Sequence, residues 1–202
     1  MRPPARDADR TIAKRFGREY FDGTRDQGYG GYRYNPRFWR GVAEDLRDAY
    51  GIGAGTSVLD VGCAKGFLLH DLRQVTPGVE VFGLDLSEYA IQNSMEDVRP
   101  RLVRGTAESL PFPDAAFDVV LCINTIHNLP LDLCKQAIGE IERVTKPGGH
   151  SYIQVDSWLS EQQRIDFLNW QLTAQTFFAP EEWRALFSEC GYTGDYYWTL
   201  AE

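Results

Sequence analysis

Two carboxylates and two glycines carry the first chemical signal in this chain. The apolar run Val58-Leu59 meets Asp60, and Val61-Gly62-Cys63-Ala64-Lys65-Gly66-Phe67 follows. This reads as a short strand, a turn with two glycines and the start of an amphipathic helix. Glycines in such a turn let backbone amides approach a ligand that side chains would keep away. Nineteen residues after Gly66, a second run from Val79 to Leu84 ends in Asp85. A carboxylate at that distance can accept hydrogen bonds from both hydroxyls of a ribose. The pair predicts a nucleoside-bearing cofactor across the carboxyl ends of parallel strands. Gly62 to Gly66 does not have the G-x-G-x-x-G spacing of the dinucleotide fingerprint.

These residues need a sheet to position them. From Ser57 onward strand and helix signals alternate. Strands are expected at 57–61, 79–84, 101–104, 117–123 and 150–155, with a last one near 192–200. Helices are expected at 66–75, 87–96, 131–145, 160–173 and 180–190. The run Val119-Val120-Leu121-Cys122-Ile123 lacks polar alternation, as a strand covered on both faces should. The order implies an α/β fold, a doubly wound and mostly parallel sheet. Lys146-Pro147-Gly148-Gly149 is a helix stop before the fifth strand. Ahead of the sheet, residues 1–11 read as a frayed terminus, 12–22 as a short helix, 23–36 as a loop and 38–50 as a helix. The expected division is an N-terminal helical and lid extension over 1–50 and a cofactor-binding domain over 51–202, compact together.

Bulk properties narrow the function classes. A formal net charge of −8 argues against a general nucleic-acid binder, which needs a cationic surface to displace counterions. No apolar run reaches the length that spans a bilayer. The basic residues of the first 18 positions are followed by no apolar core, so a secretory signal is not expected and the cytoplasm is. The four cysteines, Cys63, Cys122, Cys134 and Cys190, show no metal-ligand spacing and read as reduced thiols, with no metal expected.

Further motifs follow in order. Gly105-Thr106-Ala107-Glu108-Ser109-Leu110-Pro111-Phe112 comes after the third strand, Phe117 to Asn124 forms the fourth, and Glu140 to Gly149 leads into the fifth. Over about residues 55–155 this series resembles the class I S-adenosylmethionine-dependent methyltransferases, in their small-molecule branch. The resemblance implies S-adenosylmethionine as cofactor and a small-molecule methyl acceptor, with an oxygen or nitrogen nucleophile favoured over carbon. It implies that Asp60 and the backbone of Gly62, Cys63, Ala64 and Gly66 surround the methionine part. Asp85 would take the ribose hydroxyls and Leu86 flank the adenine. Thr106, Ala107 and Glu108 would lie at the adenine edge, and Ile123 and Asn124 under the sulfonium. Ala64 replaces a glycine frequent in this family, and Thr106 stands where an Asp is common.

The acceptor side is less marked. Eight aromatics fall within residues 16–39, a third of that segment against 13% of the chain, with glycines between them. Aromatic anchors on a flexible backbone suit a lid, and also suit a strap packed permanently on the sheet edge. Tyr20 is expected to cover the cofactor, with Tyr29 and Arg33 on the substrate, and Arg33 or Arg37 suited to a carboxylate. His127, just past the fourth strand, is the candidate catalytic base or a pocket wall. Asp156 and Trp158 follow the fifth strand and suit an amine by charge and cation–π contact. The family ends in a two-strand antiparallel hairpin. Only eleven residues follow Gly191 here, room for one strand or two very short ones. A sheet edge left open that way suggests a homodimer. The competing readings are a nicotinamide-dependent oxidoreductase on a similar sheet and an inactive partner subunit of methyltransferase fold.

Overall fold

The computed structural model describes residues 4–200. Its centre is a six-stranded sheet in the order β3-β2-β1-β4-β5-β6. The strands are β1 (Ser57–Val61), β2 (Glu80–Asp85), β3 (Leu102–Arg104), β4 (Phe117–Ile123), β5 (Thr145–Ser157) and β6 (Asp195–Leu200). Every neighbouring pair runs parallel. The helices are α1 (Asp7–Ala13), α2 (Arg18–Asp22), α3 (Pro36–Tyr50), α4 (Phe67–Val75), α5 (Glu88–Gln92), α6 (Leu131–Val144), α7 (Glu161–Trp170) and α8 (Pro180–Glu189).

Both faces of the sheet are buried, which explains the unbroken apolar runs in β1 and β4. On one face, Ala43 and Leu46 of α3 and Leu69 and Leu72 of α4 pack on Val58, Val81 and Leu121. On the other, Ile138 and Ile141 of α6 and Trp183 and Phe187 of α8 pack on Leu59, Val120 and Ile153. The order of strands reverses between β1 and β4. A doubly wound sheet opens a crevice at that switch point, beyond the carboxyl ends of its strands.

Two departures from the sequence reading have physical causes, and the terminal segment settles on one of the two arrangements left open. Residues 7–11, expected within a frayed terminus, belong to α1. Arg6 pairs with Asp9 at 2.6 Å, Ala5 N–H donates to the Asn169 carbonyl at 2.7 Å, and Arg10 reaches the carbonyls of Leu168 and Gln171. The bonds to residues 168–171 leave no local signature. The single helix expected over 12–22 is broken by Phe16, whose φ is 48°. A bulky residue in the left-handed region cannot continue a helix. The terminal segment makes one strand, β6, whose Tyr152↔Asp195 to Ser157↔Leu200 register is parallel and lies directly on β5. The antiparallel strand typical of the family is not formed within residues 4–200.

Candidate functional site

The crevice is built first by backbone strain. Gly62 leaves β1 with φ 86°, Ala64 sits at 48° and Gly66 at 71°, the last as N-cap of α4. A Cβ on Gly62 would lie 2.0 Å from Thr125 Oγ1, so only glycine lets this turn pass beneath the end of β4. On the other side of the gap, Asn124 is also left-handed, at φ 52°. Ala64 and Asn124 are non-glycine residues held where side chains are disfavoured, the kind of strain that clusters at binding sites.

Four amides of this turn are already used. Gly62 N–H and Cys63 N–H donate to the Leu84 carbonyl at 2.7 and 3.0 Å, and Gly66 N–H to the Cys63 carbonyl at 2.8 Å. Ala64 N–H donates to Asp85 Oδ2 at 2.7 Å. Ser87 N–H donates to Asp85 Oδ1 at 2.7 Å, while the Ser87 hydroxyl caps α5 by accepting from Ala90 N–H. Asp85 is thereby fixed in orientation with acceptor capacity to spare on each oxygen. Asp60 is 5% exposed, and no side-chain hydrogen bond forms to it among the described residues. Burial, and after it the charge of Asp85, pushes its carboxyl up to about 7. Burial also raises Asp85, against the two amide bonds that favour its charged form. The crevice is negative, and it offers no free cluster of amides among these turn residues.

Three cavities meet here, and Tyr29 and Asn124 line all three. The first runs along β2 and β3, between Leu86, Thr106, Ala107 and Glu108 on one side and Phe16 and Tyr20 on the other. Glu108 Oε2 is buried there with no partner. The second lies under Asp60, Cys63 and Ile123, and Tyr32 and Trp39 close it. The third lies beyond Asn124 and holds His127, Asp156 and Gln171.

The aromatic segment forms the roof. It is knotted by Tyr29 N–H to the Tyr20 carbonyl, and by Gly31 and Tyr32 N–H to the Phe21 carbonyl. Gly28 permits the first bond, since a Cβ there would lie 2.0 Å from the Tyr20 oxygen. Tyr20 and Tyr29 meet edge to face at 5.1 Å, and Tyr32 stacks on Phe67 at 4.9 Å. One ion pair ties the roof to the glycine turn. Lys65 Nζ sits 2.7 Å from Asp22 Oδ2 and donates to the Tyr32 carbonyl, and Tyr89 donates to the same Asp22 oxygen. Only 8% of the Lys65 side chain is exposed.

His127 is buried and its protonation is constrained by geometry. Asp156 N–H donates to His127 Nδ1 at 3.2 Å, and His127 Nε2 lies 3.5 Å from Asp156 Oδ2. The Nδ1 lone pair is occupied, so the neutral ring carries its proton on Nε2, toward the carboxylate. Burial lowers the His127 pKa, opposed by the Asp156 charge, and burial raises that of Asp156. With its one acceptor nitrogen engaged, His127 is not set up as the base toward a ligand. Of the other expected residues, Asp60, Gly62, Cys63, Ala64, Asp85, Leu86, Thr106, Ala107, Glu108, Ile123, Asn124, Tyr20, Tyr29 and Asp156 come together around the cavities.

Four expected residues do not line them. Gly66 turns the chain into α4. Arg33 is exposed, as is Arg37. The Trp158 ring packs on Phe177 at 4.6 Å, one layer behind Phe167 of the third cavity. The sequence reading missed Asn128, Thr125 and the loop 171–174. Asn128 and Thr125 adjoin residues that were singled out. Residues 171–173 were expected to continue the helix over 160–173, but α7 ends at Trp170 and the chain leaves it as a loop.

Comparison with known proteins agrees with this architecture. Residues 59–153 match the family described as "Methyltransferase domain". The chain is 34% identical over 153 residues to the sterol 24-C-methyltransferase ERG6B of Gibberella zeae, covering 66% of this chain and 39% of that protein. It is 40% identical over 121 residues to the demethylmenaquinone methyltransferase of Staphylococcus aureus, covering 56% and 47%. It thus spans less than half the length of either relative. The YcgJ protein of Bacillus subtilis shares the fold, with a TM-score of 0.57, 24% identity, and coverage of 73% of this chain and 66% of that one.

Proposed function

We propose that this chain, whose residues 59–153 match the methyltransferase-domain family, is a class I S-adenosylmethionine-dependent methyltransferase that transfers a methyl group to an oxygen or nitrogen nucleophile of a small-molecule metabolite. The observation that carries this reading is the sign of the crevice. Four of its turn amides are spent on Leu84, Cys63 and Asp85, and the groups facing the cavities are the carboxylates Asp60 and Asp85. The N-terminal end of α4, with Gly66 as its N-cap, lies at this turn, but the two carboxylates beside it would repel a pyrophosphate. A nucleoside carrying cationic groups is the complementary ligand, which favours S-adenosylmethionine over a nicotinamide dinucleotide.

The residues present suit that cofactor. Asp60, buried and without a partner, would hold its ammonium. Asp85, pinned by two amides, would accept from the ribose hydroxyls. Leu86 would flank the base, and the unpaired Glu108 Oε2 supplies an acceptor for an exocyclic amino group. That acceptor stands two residues from Thr106, where the family commonly places its Asp. When bound, S-adenosylmethionine supplies an electrophilic methyl on sulfur, and its displacement needs no covalent intermediate with the protein. The protein's part is to align the nucleophile and keep water out. Asn124 and Tyr29, shared by all three cavities, stand where the cofactor and acceptor spaces join.

In this reading residues 16–39 act as a lid that opens to load both ligands, and the Lys65–Asp22 pair is its latch. The open edge of β6, with Tyr196 and Tyr197 exposed, suits pairing with a second copy of the chain. The unpaired cysteines suit the reducing cytoplasm. No helix among the described residues is long and apolar enough to cross a membrane. The test is to incubate the protein with methyl-labelled S-adenosylmethionine and a cell extract separated by size. Label is expected in the low-mass organic fraction. Label confined to protein or nucleic acid would overturn the small-molecule assignment.

A further inference from the structure

The third cavity has an excess of acceptors that the protein itself leaves unsatisfied. Asn128 Oδ1 and Gln171 Oε1 are buried with no hydrogen-bond partner. Both residues line this cavity together with Asp156, whose side chain is 19% exposed. The Asn128 amide cannot simply be turned round, because its Nδ2 donates to the Asn124 carbonyl at 3.2 Å. A buried acceptor without a donor costs stability unless a ligand supplies one. The fixed Asn128 acceptor and the Asp156 carboxylate, with the Gln171 amide able to present its oxygen beside them, call for a ligand that carries N–H groups and a positive charge.

We propose, resting on the methyltransferase reading above, that the methyl acceptor is an amine, bound as an ammonium against Asp156 with N–H groups on Asn128 Oδ1 and Gln171 Oε1. Asp156 then takes one ammonium proton. The N–H bond breaks, its electron pair stays on nitrogen as the nucleophilic lone pair, and an O–H bond forms on the carboxyl. After transfer the methylated nitrogen carries the positive charge, and Asp156 returns its proton to solvent. Burial favours the protonated carboxyl, so the group is suited to receive it. His127 acts through Asp156 as a positioning residue, with its Nε2 proton toward Oδ2 and its Nδ1 anchored on the Asp156 amide.

The walls agree with an ammonium on an apolar body. Tyr20, Tyr29, Phe167 and Trp170 supply aromatic surface around the acceptors. The charged and titratable groups that border this cavity are Asp156, His127, Arg25 and the two tyrosines. Arg25 is exposed and donates to the Tyr29 carbonyl at 2.7 Å.

The test is calorimetry on the whole chain with butylamine and 2-phenylethylamine, each against its alcohol, with and without S-adenosylhomocysteine. At least one amine should bind tenfold or more tightly than its alcohol at pH 7.5. Asp156→Asn should abolish the preference and Asp156→Glu restore part of it. In the wild type the preference should fade as the pH is lowered and Asp156 gains its proton, a result that needs no variant to fold. Equal binding of amine and alcohol, or a preference that survives Asp156→Asn in a protein of unchanged circular dichroism, would overturn the assignment. Uptake of S-adenosylhomocysteine without any amine preference would refute the amine alone. Its failure to bind would refute the methyltransferase reading, while the amine titration still reports on the cavity.

Discussion

Asp60→Asn should stabilise the unliganded protein and abolish its cofactor binding. The Asp60 carboxyl stands at about 7 in the folded chain against an ordinary 3.8, because burial and the charge of Asp85 oppose ionisation. Folding therefore carries no penalty from this group below pH ~4, where both states are protonated. The penalty grows between 3.8 and about 7, and stays constant above 7, where both states are ionised. At 1.36 kcal/mol for each tenfold, the full gap is worth roughly 4 kcal/mol at pH 8 and about 1.5 kcal/mol at pH 5, as upper bounds. Asparagine keeps the shape and removes the charge at every pH. Its melting temperature should exceed the wild type's at pH 8, by up to ~8–16 °C if the bound is reached, and by much less at pH 5. Saturating S-adenosylhomocysteine should then raise the wild-type melting point and leave that of Asp60→Asn unmoved. The assay is a melting series over pH 5–8 with and without the ligand. A variant no more stable than wild type at pH 8, or one that still responds to ligand, would refute the argument that Asp60 is a strained carboxylate awaiting a cation.

Other consequences follow from the same geometry. Binding of S-adenosylhomocysteine near pH 6.5 should release protons as Asp60 ionises against the ligand ammonium, so the calorimetric heat should vary with the ionisation enthalpy of the buffer. Gly62→Ala should destroy binding, because its Cβ would meet Thr125 Oγ1 at 2.0 Å and its φ of 86° disfavours a side chain; a titration with ligand checks this. Ala64→Gly should raise stability by ~1 kcal/mol by relieving a left-handed residue, read from denaturant midpoints. Lys65→Met should loosen the roof, seen as faster proteolysis within residues 16–35 and loss of its slowing by ligand. If β6 pairs with a second copy, light scattering should give twice the 22.9 kDa chain mass at high concentration; a monomer removes that proposal.

Much of the fold was legible because it is written in local patterns. The unbroken apolar runs of β1 and β4 announced a sheet covered on both faces, and Gly62, Gly66 and Asp85 marked its crevice. What was not legible depended on contacts far apart in sequence. The bonds from α1 to the end of α7 give a polar segment its helix. The pairing of His127 Nδ1 with the Asp156 amide joins residues 29 apart, and it alone fixes the tautomer. Glycine spacing suggested amides free to cradle a ligand, but the Leu84 carbonyl and the Asp85 carboxylate claim them. Arg33 and Trp158 had the right chemistry, and the chain direction turned them elsewhere. The loop 171–174 contributes to the acceptor cavity through position alone.

The proposal stands or falls on the crevice at the carboxyl end of β1, between β2 and β4, being shaped and charged for an adenosyl group carrying cationic methionine. Titration of the intact chain with S-adenosylhomocysteine, and separately with NAD, tests it most directly. One-to-one binding of S-adenosylhomocysteine, lost in Asp85→Ala, with no heat from NAD, is the predicted result; saturable NAD binding with no response to S-adenosylhomocysteine would contradict it.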